Sequence, residues 1–181
     1  MPTLVLINGA PASGKSTVAR LLARDRPLTL VVDIDTIRGS LGHWEDDPVA
    51  AGLAARQLAL SMCGTHLSAG RDVIVPQFLQ RAEFIDELAA AANDVGADFL
   101  ECCLVSSPEQ AAAQFAARAS SDEPNHRAAQ TLQSAPGAVP VQDLYETMLA
   151  MVSKRPQTRY VRLVSGDVEQ SLAHLRAEIR Q

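Results

Sequence analysis

An α/β fold built on one parallel sheet with helices on both faces is what this sequence predicts, from three observations. Five short apolar runs, from Leu4–Ile7 to Thr158–Val164, alternate with longer amphipathic or alanine-rich segments. Strands that alternate with helices form parallel sheets covered on both sides. The first run leads through a turn bounded by Gly9 and Gly14 directly into a helical segment. Finally, 181 residues with 47% apolar and 20% charged side chains are enough to bury a proper core.

Each element has its own signal. Leu4–Ile7 is the first strand, and Lys15 to about Arg24 is the amphipathic helix after it. Asp25-Arg26-Pro27 breaks that pattern, and Leu28–Val32 is the second strand. Leu41–Pro48 is a polar connection, and a long alanine-rich helix runs from about Val49 to Ser68, ended by Gly70. Arg71–Val75 is the third strand, stopped by Pro76.

Arg81–Asn93 is helical, with Phe84, Ile85, Leu88 and Ala92 on one side, and Ala97–Val105 is the fourth strand. Pro108 takes the first position of a helix through Gln110–Ala119. Ser120–Asn125 is polar without apolar pattern and reads as mobile. A short helix, a loop over Ala135–Pro140 and a helix from Val141 to Lys154 follow. Thr158–Val164 is the fifth strand, and Asp167 is the expected N-cap of the last helix. With no repeat or linker, residues 1–181 read as one domain.

Gly9-Ala10-Pro11-Ala12-Ser13-Gly14-Lys15-Ser16 fits G-x-x-x-x-G-K-[ST], the phosphate-binding P-loop, in the strand–helix context the motif requires. The glycines permit a path on which successive N–H groups turn inward as an anion nest. The helix opening at Lys15 adds unpaired N–H groups and a positive dipole end. Lys15 is placed to reach the β- and γ-phosphates and Ser16 to ligate Mg²⁺; Thr17 follows them, and packing in the helix explains it as well. ATP and Mg²⁺ are the cofactors expected.

In open parallel sheets ligands gather at the carboxyl ends of the strands. Asp33 and Asp35 lie there, directly after the second strand. One carboxylate can accept a proton from an acceptor hydroxyl while the other holds Mg²⁺. Arg38 falls on the face of Asp35 if the segment is helical, free to pair with it or with an acceptor anion. A plainer role as an N-cap and its surface ion pair also fits Asp35 and Arg38.

These residues resemble the small P-loop kinases that phosphorylate hydroxyls of non-protein acceptors. Asp33-Ile34-Asp35-Thr36-Ile37-Arg38 is similar to the D-x-D-x-x-R stretch of adenylylsulfate kinases. Asp35-x-x-Arg38 is also similar to the phage polynucleotide 5′-hydroxyl kinases, and gluconate kinases and chloramphenicol phosphotransferases share an acid at this strand end. The resemblance implies a P-loop NTPase fold with five parallel strands and a small lid. It also implies transfer of the ATP γ-phosphate to a hydroxyl of a small molecule or nucleic-acid end. Asp35 is then the base, Arg38 an acceptor or transition-state group, and Asp33 with Ser16 the metal side. The lid falls at about residues 118–127, which makes Arg118 and Arg127 candidate cations over the phosphates, although solvated helix arginines explain them equally. Gln77 and Gln80 stand where an acceptor pocket is expected, although neutral loop positions explain them equally. Trp44 either walls that pocket or packs. Ser165-Gly166-Asp167 falls where the family sets a loop against adenine.

A different class, a nucleotide-binding switch or regulatory ATPase acting through a partner, also uses a P-loop. No Asn-Lys-x-Asp guanine-reading element occurs, which disfavours a GTPase. A formal net charge of −5 favours small-molecule acceptors over nucleic acid. His43, His66 and His126 lack partners at metal-ligand spacing. Three cysteines without such spacing, no signal-peptide pattern and no run able to cross a bilayer point to buried thiols in a reducing cytoplasm. Adjacent Cys102 and Cys103 are expected to face opposite ways. The acceptor's identity and the oligomeric state leave no mark in the sequence.

Overall fold

Leu4–Ile7 forms the middle of β1 (Thr3–Gly9), buried from Leu4 onward. Apolar side chains on both faces of a strand require cover on both sides. The computed structural model, which describes residues 1–117, 137–164 and 166–180, shows that cover. β1 pairs in parallel with β3 (Val73–Pro76) and β4 (Asp98–Val105), while β2 (Leu30–Val31) and β5 (Arg159–Arg162) form the edges. The order is β2-β3-β1-β4-β5.

Strand alternation divides the core. Leu4, Leu6, Val73 and Val75 face α2 (Ile34–Gly39), α3 (Pro48–Ser68) and α4 (Glu83–Asn93), where Ile34, Ala55, Ala59 and Leu88 meet them. Val5, Ile7, Ile74 and Cys102 face α1 (Lys15–Leu22) and α7 (Val168–Ile179). Cys103 points the other way, into a third cluster with α5 (Pro108–Ala117) and α6 (Val141–Val152). The three cysteines are free and buried, and burial pushes each thiol up to about 12. Such thiols are inert at neutral pH.

A charged cluster ties the far side together. Glu101 on β4 is buried and accepts two hydrogen bonds from Arg155 Nε, at 3.0 and 2.9 Å, and one from Thr158 Oγ1 at 2.6 Å. Arg155 Nη1 also reaches Asp86 of α4 at 2.9 Å. Three elements are thereby fixed around one carboxylate.

Four expectations are corrected. The second strand is Leu30–Val31 rather than Leu28–Val32, because a turn with Thr29 N–H on Arg26 O holds Leu28 at φ 59°. Pro76 does not stop β3 but is its last residue, paired in register with Ile7. Its missing N–H falls toward β2, whose pairing has already ended where Val32 N–H donates to Ile74 O. The fifth strand is shorter than expected, Arg159–Arg162, and the helix before it ends at Val152 rather than Lys154. Ser120–Asn125 and the short helix expected after it lie outside the described residues. Among the described residues no helix is long and apolar enough to cross a membrane.

Candidate active site

The loop from Gly9 to Gly14 joins the buried end of β1 to α1. A side chain at Gly9 would be crowded: a Cβ there would lie 3.1 Å from both Leu104 Cβ and Ser13 Oγ. Gly14 takes a left-handed backbone at φ 83°, and Ala12 does so at φ 65° despite its Cβ. Held strain of this kind is a mark of functional loops. No side chain caps α1, which leaves its opening N–H groups for an anion. Lys15 Nζ donates to Ala10 O at 2.6 Å and approaches Ser13 Oγ at 3.4 Å, folding back over the loop. Ala10 and Ser13 are buried, Pro11 and Ser16 are partly covered, and Thr17 is exposed.

One loop-fixing residue gave no motif signal. Asn8, fully buried, accepts from Gly9 N at 2.8 Å and Leu79 N at 2.9 Å and donates to Leu79 O at 3.0 Å. It staples the phosphate loop to the turn after β3. A polar residue inside an apolar strand was the available clue.

Asp33 serves two elements at once. Its Oδ1 accepts from the N–H groups of Asp35 and Thr36, capping α2, while Oδ2 accepts from Ser16 Oγ at 2.9 Å. The N-cap is therefore Asp33 and not Asp35. Two oxygens 2.9 Å apart also match adjacent ligands of an octahedral Mg²⁺, about 2.9 Å apart for bonds of about 2.05 Å. No group of three or more His, Cys, Asp or Glu is arranged for a metal among the described residues. A cation at Ser16 and Asp33 thus needs phosphate or water oxygens to complete its shell.

Asp35 is released from capping, and its side chain is 44% exposed. Desolvation raises its carboxyl above the ordinary 3.8, Arg38 pulls it back, and Asp33 pushes it up again. Arg38 Nη2 lies 3.1 Å from Asp35 Oδ1, and its guanidinium stacks over Trp44 at 5.0 Å. Trp44 therefore packs on the arginine that flanks Asp35. Gln80 is structural, donating to Leu144 O at 3.1 Å. His43 lies exposed beside Asp46, and His66 contacts Leu28 O. Asp167 caps α7 through Gln170 N as expected. Arg118, Arg127, the lid over 118–127, His126 and Ser165 lie outside the described residues.

A five-stranded parallel sheet with this loop at its centre is a P-loop NTPase of the kinase-like kind. The chain belongs to the AAA domain family, whose model matches residues 4–136. No curated protein matches it. Solved structures resemble it along nearly its whole length. A gluconokinase from Sinorhizobium meliloti 1021 superposes with a TM-score of 0.63 at 16% identity, covering 99% of this chain and 92% of that one. The APS kinase CysC of Mycobacterium tuberculosis, in complex with AMPPNP and APS, gives 0.65 at 19%, covering 99% and 98%. The tunicamycin resistance protein of Deinococcus radiodurans gives 0.63 at 14%, covering 99% and 96%. At these identities the likeness is one of fold.

Proposed function

We propose that the protein moves the γ-phosphoryl group of Mg·ATP to a hydroxyl of an acceptor. The observation that carries this reading is the Ser16–Asp33 contact, which sets the α2 carboxylate and arginine beside the phosphate loop. Phosphate-binding and proton-accepting groups then share one edge of the sheet. The kinases among the fold neighbours support it.

In the transfer, Asp35 takes the acceptor's O–H proton as the new O–P bond forms. The bond from the γ-phosphorus to the β–γ bridging oxygen breaks, and ADP leaves with that electron pair. Lys15 and the α1 N–H groups balance charge on the phosphates, and Arg38 orients the acceptor. Ser16 and Asp33 would hold Mg²⁺, which supplies charge neutralisation when bound. Arg118 and Arg127 complete the proposal as lid cations. The buried free thiols fit a cytoplasmic enzyme.

Calorimetric titration with Mg·ATP tests the loop. Lys15→Ala should weaken binding roughly tenfold or more with an unchanged melting temperature. Equal affinity together with equal turnover would overturn the reading. ATP hydrolysis that saturates at a fast rate with no acceptor would identify a regulatory ATPase instead.

A further inference from the structure

A cleft of about 570 Å³ opens at the amino ends of the strands, on the sheet face that α1 and α7 cover. Its size falls within the about 300–1,000 Å³ of small-molecule sites. Thr3 lines it, whereas Gly9, at the other end of β1, opens the phosphate loop. The seven residues of β1 hold these ends roughly 20 Å apart. The cleft is therefore distinct from the candidate active site.

Its floor is apolar: Val5, Ile74 and Leu100 come from three adjacent strands, and Leu22 of α1 and Ile179 of α7 wall it. Its rim carries Arg26, Arg176 and Arg180 against Asp25, Asp72 and Asp98, so the formal charges cancel. Two pairs are already closed. Arg26 Nη1 lies 2.5 Å from Asp72 Oδ2, and Arg176 holds Asp25 through hydrogen bonds of 2.7 and 2.6 Å. Arg180 and Asp98 remain, and among the described residues neither side chain makes a hydrogen bond or an ion pair. The Arg176 hydrogen bond is the chief influence lowering the Asp25 carboxyl, and the charge of Arg180 adds to it from a distance.

We propose that this cleft binds a zwitterion with an apolar body, a short apolar peptide with free ends, its ammonium at Asp98 and its carboxylate at Arg180. Simpler ligands fit the rim less well. A simple anion would meet three aspartates and the negative C-terminal ends of α1 and α7, and the paired arginines would have to leave their carboxylates. A metal cation would have to draw Asp25 or Asp72 off its guanidinium, and Asp98 alone offers it too few oxygens. A neutral apolar molecule fills the floor and leaves both unpaired charges to water. Asp98 belongs to the sheet and Arg180 to the helix layer, so the ligand's charges belong at opposite ends of its body rather than on one carbon. The inference concerns binding and stands apart from the phosphotransfer reading.

Calorimetric titration of the whole chain with leucyl-phenylalanine tests it, beside the N-acetylated, C-amidated and doubly blocked forms and glycylglycine. The free dipeptide should bind with a Kd of about 1 mM or tighter. Blocking either end should weaken it about threefold. Glycylglycine keeps the charges without the apolar body and should bind at least about tenfold more weakly. Arg180→Gln and Asp98→Asn then assign the ends; both residues are exposed, so the melting temperature should hold. In Arg180→Gln amidation should cease to matter while acetylation still does, and in Asp98→Asn the reverse. Binding that persists unchanged with Mg·AMPPNP present supports a separate site, and displacement by it overturns the proposal. So do equal affinities for the free and doubly blocked dipeptides, binding of neither, or losses that neither substitution cancels.

Discussion

Two carboxylate–arginine pairs in this protein use the same chemistry for opposite ends. In Glu101–Arg155 the carboxylate side chain is wholly buried, and it takes two bonds from Arg155 and one from Thr158 while the arginine also engages Asp86. In Asp35–Arg38 one contact of 3.1 Å joins the groups, the carboxylate is 44% exposed, and Arg38 Nε has no partner. The first pair is saturated and holds strands and helices together. The second is left incomplete beside the phosphate loop. Saturation, rather than charge alone, separates the two pairs.

The largest expected effect falls on the unsaturated pair. Asp35→Asn should lower phosphoryl transfer roughly 10²–10⁴-fold while changing ATP affinity far less. The fold should not suffer. Asp35 binds its proton more tightly in the folded protein than at its ordinary 3.8, so its ionisation weakens the fold as pH rises through that range. Asn removes that penalty, and a melting temperature at pH 7 equal to or above the original checks it. Glu101→Gln inverts the result: removing one partner of a buried pair costs about 3–5 kcal/mol, while turnover per folded molecule stays level. Denaturant unfolding and active-site titration, run together, separate the two.

The pH profile sharpens the comparison further. A base with a raised pKa places the acid limb of kcat/KM above pH 3.8, and Arg38→Leu should move it higher still, because Arg38 lowers Asp35. An unmoved limb in that variant would assign the proton to another group. The smallest effect is expected at a third pair, Asp25–Arg176, which is bidentate at 2.7 and 2.6 Å but a third exposed. Arg176→Gln should shift the melting temperature little, and less as salt is added.

The saturated pair was invisible in the sequence and the unsaturated one was not. Arg38 and Asp35 are three residues apart, so helical periodicity alone joins them. Glu101 and Arg155 are 54 residues apart, and nothing local distinguishes that glutamate from a solvent-facing strand residue. The strand–helix alternation and the phosphate loop were legible because both are short-range patterns. The length of β2 was not, since the Arg26–Thr29 turn consumed residues whose apolar character suited a strand. Asp33 as the partner of Ser16 was decided by a contact across 17 positions. Asn8 was missed because its partner is 71 residues distant.

That same Asn8 has a consequence for how the protein ages. It precedes Gly9, and an asparagine followed by glycine is the dipeptide most prone to deamidation, by attack of the glycine nitrogen on the side-chain carbonyl carbon. Here the Gly9 N–H is engaged with Asn8 Oδ1, and the Asn8 amide nitrogen is locked onto Leu79 O, so the native chain resists the rearrangement. An unfolded chain has no such restraint. Each excursion to the unfolded state therefore exposes the chain to an irreversible conversion that sets a carboxylate, or an isoaspartyl kink, at the buried end of β1 where the phosphate loop begins. The working lifetime of the molecule is then counted in unfolding events rather than in hours.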